Sequence, residues 1–148
     1  MTLAVHGAVA SVDDPEYPGI SIVDLGLLER LEVADRHADI GLIPTFSGCP
    51  ALGMIAAEVR DAVAAVDGID EVTVDWLQTP AWTVDRISAD ARSAMAREFT
   101  VSIQLGTKPA PCPRCGADTT QESLFGPSRC RAIHRCPACS ETVEVMRS

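Results

Sequence analysis

The chain has 148 residues, of which 47% are hydrophobic and 22% are charged, a composition typical of a folded globular protein rather than a disordered one. No apolar stretch reaches the roughly 18 residues of a membrane span, and the first ten residues lack the basic start of a signal peptide. These features predict a cytoplasmic protein. Its six cysteines are expected to stay as thiols in that reducing compartment, so they need a role other than disulfide formation.

Charge is distributed unevenly along the chain. Residues 1–106 hold 6 basic and 17 acidic residues, a net charge of −11, whereas residues 107–148 hold 6 basic and 4 acidic residues, a net charge of +2. An acidic body repels phosphate backbones, which disfavours nucleic acid as a partner. Residues 107–111 contain two prolines and resemble an extended linker. The sequence therefore predicts two domains, at 1–106 and 107–148.

The first domain has a mixed α/β pattern of apolar residues. In chain order the predicted elements are a helix at Thr2–Val12, a turn-rich stretch at 13–19, strands at Leu28–Val33 and Asp39–Phe46 that form a hairpin, a helix at 51–66, a strand at Glu71–Leu77, a helix at Ser88–Phe99 and a strand at Thr100–Leu105. The predicted fold is α/β (α+β): a small mixed sheet with two or three helices on one face, followed by a small β-rich module.

Two loop residues have alternative interpretations. Asp24 precedes the first predicted strand and is either a polar site residue or an Asp that stabilises a turn. Trp82 lies between a strand and a helix and is either a lid over the core or a platform for a ligand.

Cys49 lies between a predicted strand and the strongest predicted helix, in Ser47-Gly48-Cys49-Pro50. A thiolate at a helix start faces free backbone N–H groups and the positive end of the helix dipole, which lowers the pKa of a cysteine. Pro50 is expected to be the first helical residue. The alternative is a small buried residue that caps the helix. Nucleophilic catalysis is disfavoured because no histidine follows nearby to act as its base.

The second domain contains two Cys-x-x-Cys pairs, Cys112 with Cys115 and Cys136 with Cys139, separated by 20 residues. Each pair brings two sulfurs to one side of a metal, so together they predict a tetrahedral four-cysteine zinc site in a zinc ribbon. A closed four-thiolate site leaves no position for substrate, which predicts a structural zinc. The alternative, two redox-active dithiols, is disfavoured because neither pair begins a βαβ helix.

Cys130 is left over from these pairs. It is a spare ligand, a reactive thiol or a half-buried cysteine on a ribbon strand. His134 follows four residues later and is expected to be an exposed histidine between two arginines.

Several of these motifs resemble a known family. The motifs are Asp14-Pro15-Glu16, the stretch Ile20-Ser21-Ile22-Val23-Asp24-Leu25-Gly26-Leu27, Ser47-Gly48-Cys49-Pro50, Pro80-Ala81-Trp82-Thr83, and the cysteine-rich tail with Phe125-Gly126 and Cys130. Together they resemble iron–sulfur assembly factors of the MIP18/SufT type, and in particular the PaaD (PaaJ) family of phenylacetate degradation. The resemblance covers nearly the whole chain. It implies that Cys49 is the thiol that handles a cluster and that Asp24 is the acidic turn residue.

The resemblance implies an accessory factor of the multicomponent phenylacetyl-CoA 1,2-epoxidase, which uses a di-iron subunit and an iron–sulfur reductase. No complete catalytic constellation is visible in the sequence, which disfavours an activity of its own. One thiolate cannot complete a cluster site, so a client or a second copy of the chain would add ligands. Two alternatives stay open: a structural subunit of the oxygenase complex, and a ribbon that binds nucleic acid through Arg129, Arg131 and Arg135.

Overall fold

The computed structural model describes residues 1–45, 50–126 and 131–147, in two units that divide between Trp82 and Thr83. The first unit contains α1 (Thr2–Ala10), β1 (Asp13–Asp14), β2 (Tyr17–Ser21), β3 (Leu28–Ala34), β4 (His37–Leu42), α2 (Leu52–Ala64) and β5 (Glu71–Trp76). The second contains a 3-10 turn (Val84–Arg86), α3 (Ala89–Phe99), β6 (Val101–Ile103), β7 (Thr120–Ser123), β8 (Arg131–Arg135) and β9 (Thr142–Met146). Among the described residues, no helix is long and apolar enough to span a membrane.

A three-stranded mixed sheet in the order β3-β4-β5 is the centre of the first unit. The predicted hairpin is confirmed, since β3 and β4 are antiparallel, and β4 runs parallel to β5. A parallel pair needs a crossover connection, which contains α2. Ile55, Val59 and Val63 are the buried residues of α2, and their spacing of four residues places them on one helix face, which is the face that packs.

Two local details of the first unit differ from the prediction. Pro50 lies in a turn, and α2 begins only at Leu52. Residues 13–19, predicted as a turn, contribute to the antiparallel pair β1 and β2. Asp13 holds this pair together because its carboxylate accepts the backbone N–H of Gly19 at 2.9 Å.

The second unit begins earlier than the predicted ribbon domain. α3 starts after Ser88, whose side chain accepts the backbone N–H of Ala91 at 3.1 Å as an N-cap. The strands follow the order β6-β9-β8-β7, and β6 runs parallel to β9. The last predicted helix and strand of the first domain therefore belong to the second unit, and the predicted boundary after residue 106 lies inside it.

The segment predicted as a linker also takes part in the second unit. Ala110 is fully buried in the small core of this unit, and Pro111 forms an antiparallel bridge with Asp118. Pro109 and Pro111 restrict the backbone, but the residues that follow them, Ala110 and Cys112, are buried in the second unit. Leu105 to Pro109, directly before Ala110, are exposed.

Candidate functional site

The four cysteines predicted as ligands meet in the second unit. The Sγ atoms of Cys112 and Cys139 are 3.7 Å apart, and those of Cys115 and Cys136 are 3.4 Å apart. All four sulfurs lie within 4.8 Å of one another. A tetrahedral zinc with bonds of about 2.3 Å places its sulfurs about 3.8 Å apart. The donor set and its spacing therefore fit a four-thiolate metal site.

The two Cys-x-x-Cys turns have the same backbone arrangement. In the first, the N–H of Gly116 donates to the carbonyl of Cys112 at 2.9 Å; in the second, the N–H of Ser140 donates to the carbonyl of Cys136 at 2.9 Å. Both donor residues have a left-handed backbone, with φ of +78° for Gly116 and +64° for Ser140. The first cysteine of each turn is buried and the second is exposed. The metal site is thus formed by two equivalent turns.

We expect the substitution Ser140→Gly to raise the midpoint denaturant concentration at which the zinc-loaded protein releases its metal. A residue with a side chain loses about 1–2 kcal/mol of stability in the left-handed region. Glycine avoids this cost but loses more backbone entropy on folding, so the expected net stabilisation is about 0.5–1 kcal/mol. A metal-indicator dye measures the release. The matched change Gly116→Ser in the other turn should lower the midpoint. A shift of the same sign in both variants would contradict this explanation.

Backbone groups around the sulfurs favour thiolates. The N–H of Cys139 is the largest cause that lowers the pKa of Cys136 to about 7. The pKa of Cys139 moves the other way: the N–H of Glu141 lowers it, but desolvation and the sulfur of Cys136 together raise it to about 12. Sulfurs this close repel one another as thiolates. A soft divalent cation between them removes that repulsion, so the site is suited to a metal.

The two arginines of strand β8 form ion pairs within the ribbon. Arg131 pairs with Glu144, and Nε of Arg135 lies 2.6 Å from a carboxylate oxygen of Glu122. Arg129 lies outside the described residues. Two of the three arginines proposed for nucleic-acid binding are therefore neutralised by neighbouring carboxylates, which weakens that alternative.

His134 is buried, with 3% of its surface exposed, so the expectation of an exposed histidine is wrong. The hydroxyl of Thr119 donates to the carbonyl of Ala110 at 2.7 Å, and Nδ1 of His134 lies 3.0 Å from that hydroxyl oxygen. Because the hydroxyl proton is committed to Ala110, His134 donates from Nδ1. These two hydrogen bonds connect β8 to the segment just before Cys112. No sequence pattern marks Thr119 and His134 as partners, because the contact joins residues far apart in the chain.

A cavity of about 550 Å³ lies in the first unit, bounded by residues 43–45, Leu52, residues 76–78 and residues 81–82. We call it the crossover cavity, because it lies where β4 and β5 end and α2 begins. The carboxyl ends of parallel strands are where open α/β sheets bind ligands. This position makes the crossover cavity a candidate binding site.

Cys49 lies outside the described residues, as does Cys130. The described residues on either side of residues 46–49 include Thr45 and Leu52, and both line the crossover cavity. Along the sequence, Cys49 therefore lies between two residues of the cavity lining.

Trp82 forms one wall of the crossover cavity. Its indole N–H donates to the carbonyl of Leu25 at 2.8 Å, and only 9% of the residue is exposed. Asp24 lies in an exposed turn directly before Leu25 and forms no hydrogen bond with the described part of the chain. The hydroxyl of Ser21 accepts the N–H of Val23 in that turn instead. The turn is therefore stabilised by a neighbouring serine, and the carboxylate of Asp24 faces solvent.

Two family models match the chain. One, described as an iron–sulfur cluster assembly protein, matches residues 3–76. The other, described as a PaaD zinc beta ribbon domain, matches residues 96–147. The second match begins within α3, which agrees with the presence of α3 and β6 in the second unit.

Curated relatives and solved structures are similar to the chain in the same two parts. A putative 1,2-phenylacetyl-CoA epoxidase subunit from Escherichia coli is 33% identical, over 97% of this chain and 90% of the relative. The Fe-S protein maturation auxiliary factor YitW from Bacillus subtilis is 34% identical, over 62% of this chain and 89% of the relative. The crystal structure of a DUF59 domain from Bacillus anthracis has a TM-score of 0.60 and 29% identity, covering 64% of this chain and 90% of that domain.

Proposed function

The chain belongs to the iron–sulfur cluster assembly family and carries a PaaD zinc ribbon, and from this membership we propose that it is a maturation factor for a multicomponent phenylacetyl-CoA epoxidase. Its relatives support an accessory role in the phenylacetate pathway or in iron–sulfur assembly. The observation that carries the proposal is the similarity to the Escherichia coli epoxidase subunit over nearly the full length of both chains. The clients in this proposal are the di-iron subunit or the iron–sulfur reductase.

The proposed cargo ligand is the thiol of Cys49. Iron and iron–sulfur clusters favour thiolate ligands, and Cys49 lies in the sequence between Thr45 and Leu52, which both line the crossover cavity. A single thiolate occupies only one coordination position of the iron, so the client or a second copy of the chain supplies the other ligands. Such an incomplete site favours transfer of the cargo over storage. The proposal assigns Asp24 to the same region, because it precedes the residue that holds Trp82.

The ribbon has a different role in this proposal. Cys112, Cys115, Cys136 and Cys139 would hold a zinc ion, which would supply folding free energy to a module with a small core. With four thiolates the coordination is closed, so the zinc would take no part in transfer. The proposal places the protein in the cytoplasm, where thiols stay reduced.

The stoichiometry of the finished enzyme tests this proposal. We expect the active epoxidase, purified from cells that produce all components, to contain its catalytic and reductase subunits in fixed ratio and this chain in only trace amount. A maturation factor leaves after delivery, whereas a subunit stays. Quantitative mass spectrometry of the purified complex measures the ratio. A fixed ratio close to that of the other subunits would instead support the structural subunit that the name of the Escherichia coli relative suggests.

A further inference from the structure

We propose that the crossover cavity is a docking site for a basic segment of a client protein, which inserts one apolar side chain into the cavity. The inference rests on the proposed function, because it names the chemistry of the client protein to which the cargo is delivered. The cavity volume of about 550 Å³ lies within the range of sites that bind a small group specifically.

The walls of the cavity select an apolar group. Ile43, Pro44, Leu52 and Leu77 contribute aliphatic surface, and none of the described residues that line the cavity is charged. Thr45 and Gln78 add neutral polar groups. The chain has only two tryptophans, and both, at positions 76 and 82, line this cavity. Indole rings in a pocket provide large rigid contact areas for an apolar anchor.

The charge of the first unit selects a basic partner. Residues 1–82 hold 3 basic and 14 acidic residues, a net charge of −11. Two of the three arginines are paired, Arg30 with Asp39 at 2.9 Å and Arg36 with Asp70 at 2.6 Å. Arg60 forms no ion pair with the residues that the structure describes. Cationic segments are therefore attracted to this unit, and anionic ligands such as phosphate esters are repelled.

Two acidic residues adjoin the cavity lining along the sequence. Asp75 directly precedes the lining residue Trp76, but its carboxylate lies 3.6 Å from the guanidinium of Arg30 and is therefore partly neutralised. Asp24 directly precedes Leu25, whose carbonyl accepts the indole N–H of Trp82. A lysine or arginine that flanks an inserted apolar side chain is thus attracted by the net charge of −11 of residues 1–82. An apolar cavity in an acidic unit fits a segment of alternating basic and apolar residues.

Three short peptides test the proposal on the full-length chain. The probe is acetyl-Lys-Lys-Phe-Lys-Lys-amide; the second peptide replaces each lysine with glutamate, and the third replaces the phenylalanine with serine. Tryptophan emission reports binding directly, because both tryptophans line the cavity. We expect the probe to bind about tenfold more tightly than either other peptide, because removal of one anchor typically weakens binding by about this factor. Its affinity should fall as the salt concentration rises.

A matched pair of variants tests the position of the site. Ala81 is exposed and lines the cavity, so Ala81→Phe should fill it and weaken binding of the probe about tenfold. Ala57 is exposed on α2 and lies outside the cavity lining, so Ala57→Phe should leave the affinity unchanged. Equal binding of all three peptides, or full affinity in Ala81→Phe, would overturn the docking site.

The Cys49→Ala variant separates this inference from the proposed function. It removes the proposed cargo ligand and leaves every described lining residue in place, so we expect it to bind the probe with unchanged affinity. Normal epoxidase maturation by Cys49→Ala together with specific probe binding would reject the proposed function and keep the docking site. Maturation that depends on Cys49 without specific probe binding would reject the docking site and keep the proposed function.

Discussion

Substitution of both Cys112 and Cys136 by serine is expected to release the bound metal and unfold the ribbon, while residues 1–82 stay folded. Folding of small zinc modules is coupled to metal binding worth about 10–16 kcal/mol, and the buried core around these two cysteines is small. β6 should lose protection as well, because its described strand partner is β9 in the same sheet. Metal analysis and hydrogen exchange of residues 101–103 and 142–146 measure the two effects.

Two further variants show whether the ribbon unfolds because the metal is released. Cys115 and Cys139 are exposed, so replacing them with serine removes two ligands without disturbing the core. This variant should also release the metal. Arg114→Ala removes only the exposed ion pair with Glu141, which is worth at most about 1 kcal/mol, and should retain it. Full metal retention in the double variant of Cys112 and Cys136 would contradict the four-thiolate assignment.

The Cys49→Ala variant is expected to fold normally and to fail in function. The change removes one sulfur atom, so we expect the free energy of unfolding to change by no more than about 1 kcal/mol. In cells that carry only this variant, epoxidase activity should fall to the level of cells without the protein. The metal content of the purified epoxidase components, measured beside their activity, should fall in parallel.

Ser47→Ala is the matched control for Cys49→Ala. It changes a neighbouring residue of the same loop sequence and leaves the thiol in place, so epoxidase activity should stay normal. If Cys49→Ala unfolds the chain or supports normal epoxidase activity, Cys49 is a packing residue and the transfer role is wrong.

Local patterns in the sequence were sufficient to predict most of the elements and the metal ligands. The hairpin of β3 and β4, helix α2 and the helix that starts after Ser88 each depend on residues close together in the chain. The four metal ligands could also be predicted from the sequence, because the Cys-x-x-Cys spacing itself brings each pair of sulfurs together. These signals are short-range, so the sequence alone contains them.

Only the tertiary structure decided which distant segments meet. The sequence predicted a strand ending near Leu105, but its pairing with β9 rather than with the first sheet depends on contacts across about forty residues. The same is true of the contact between Thr119 and His134 and of the ion pair between Arg131 and Glu144. A buried histidine and an exposed one share the same local sequence pattern, because burial is set by what packs against the strand. The crossover cavity arises for the same reason, since the described residues that line it come from four separate stretches of the chain.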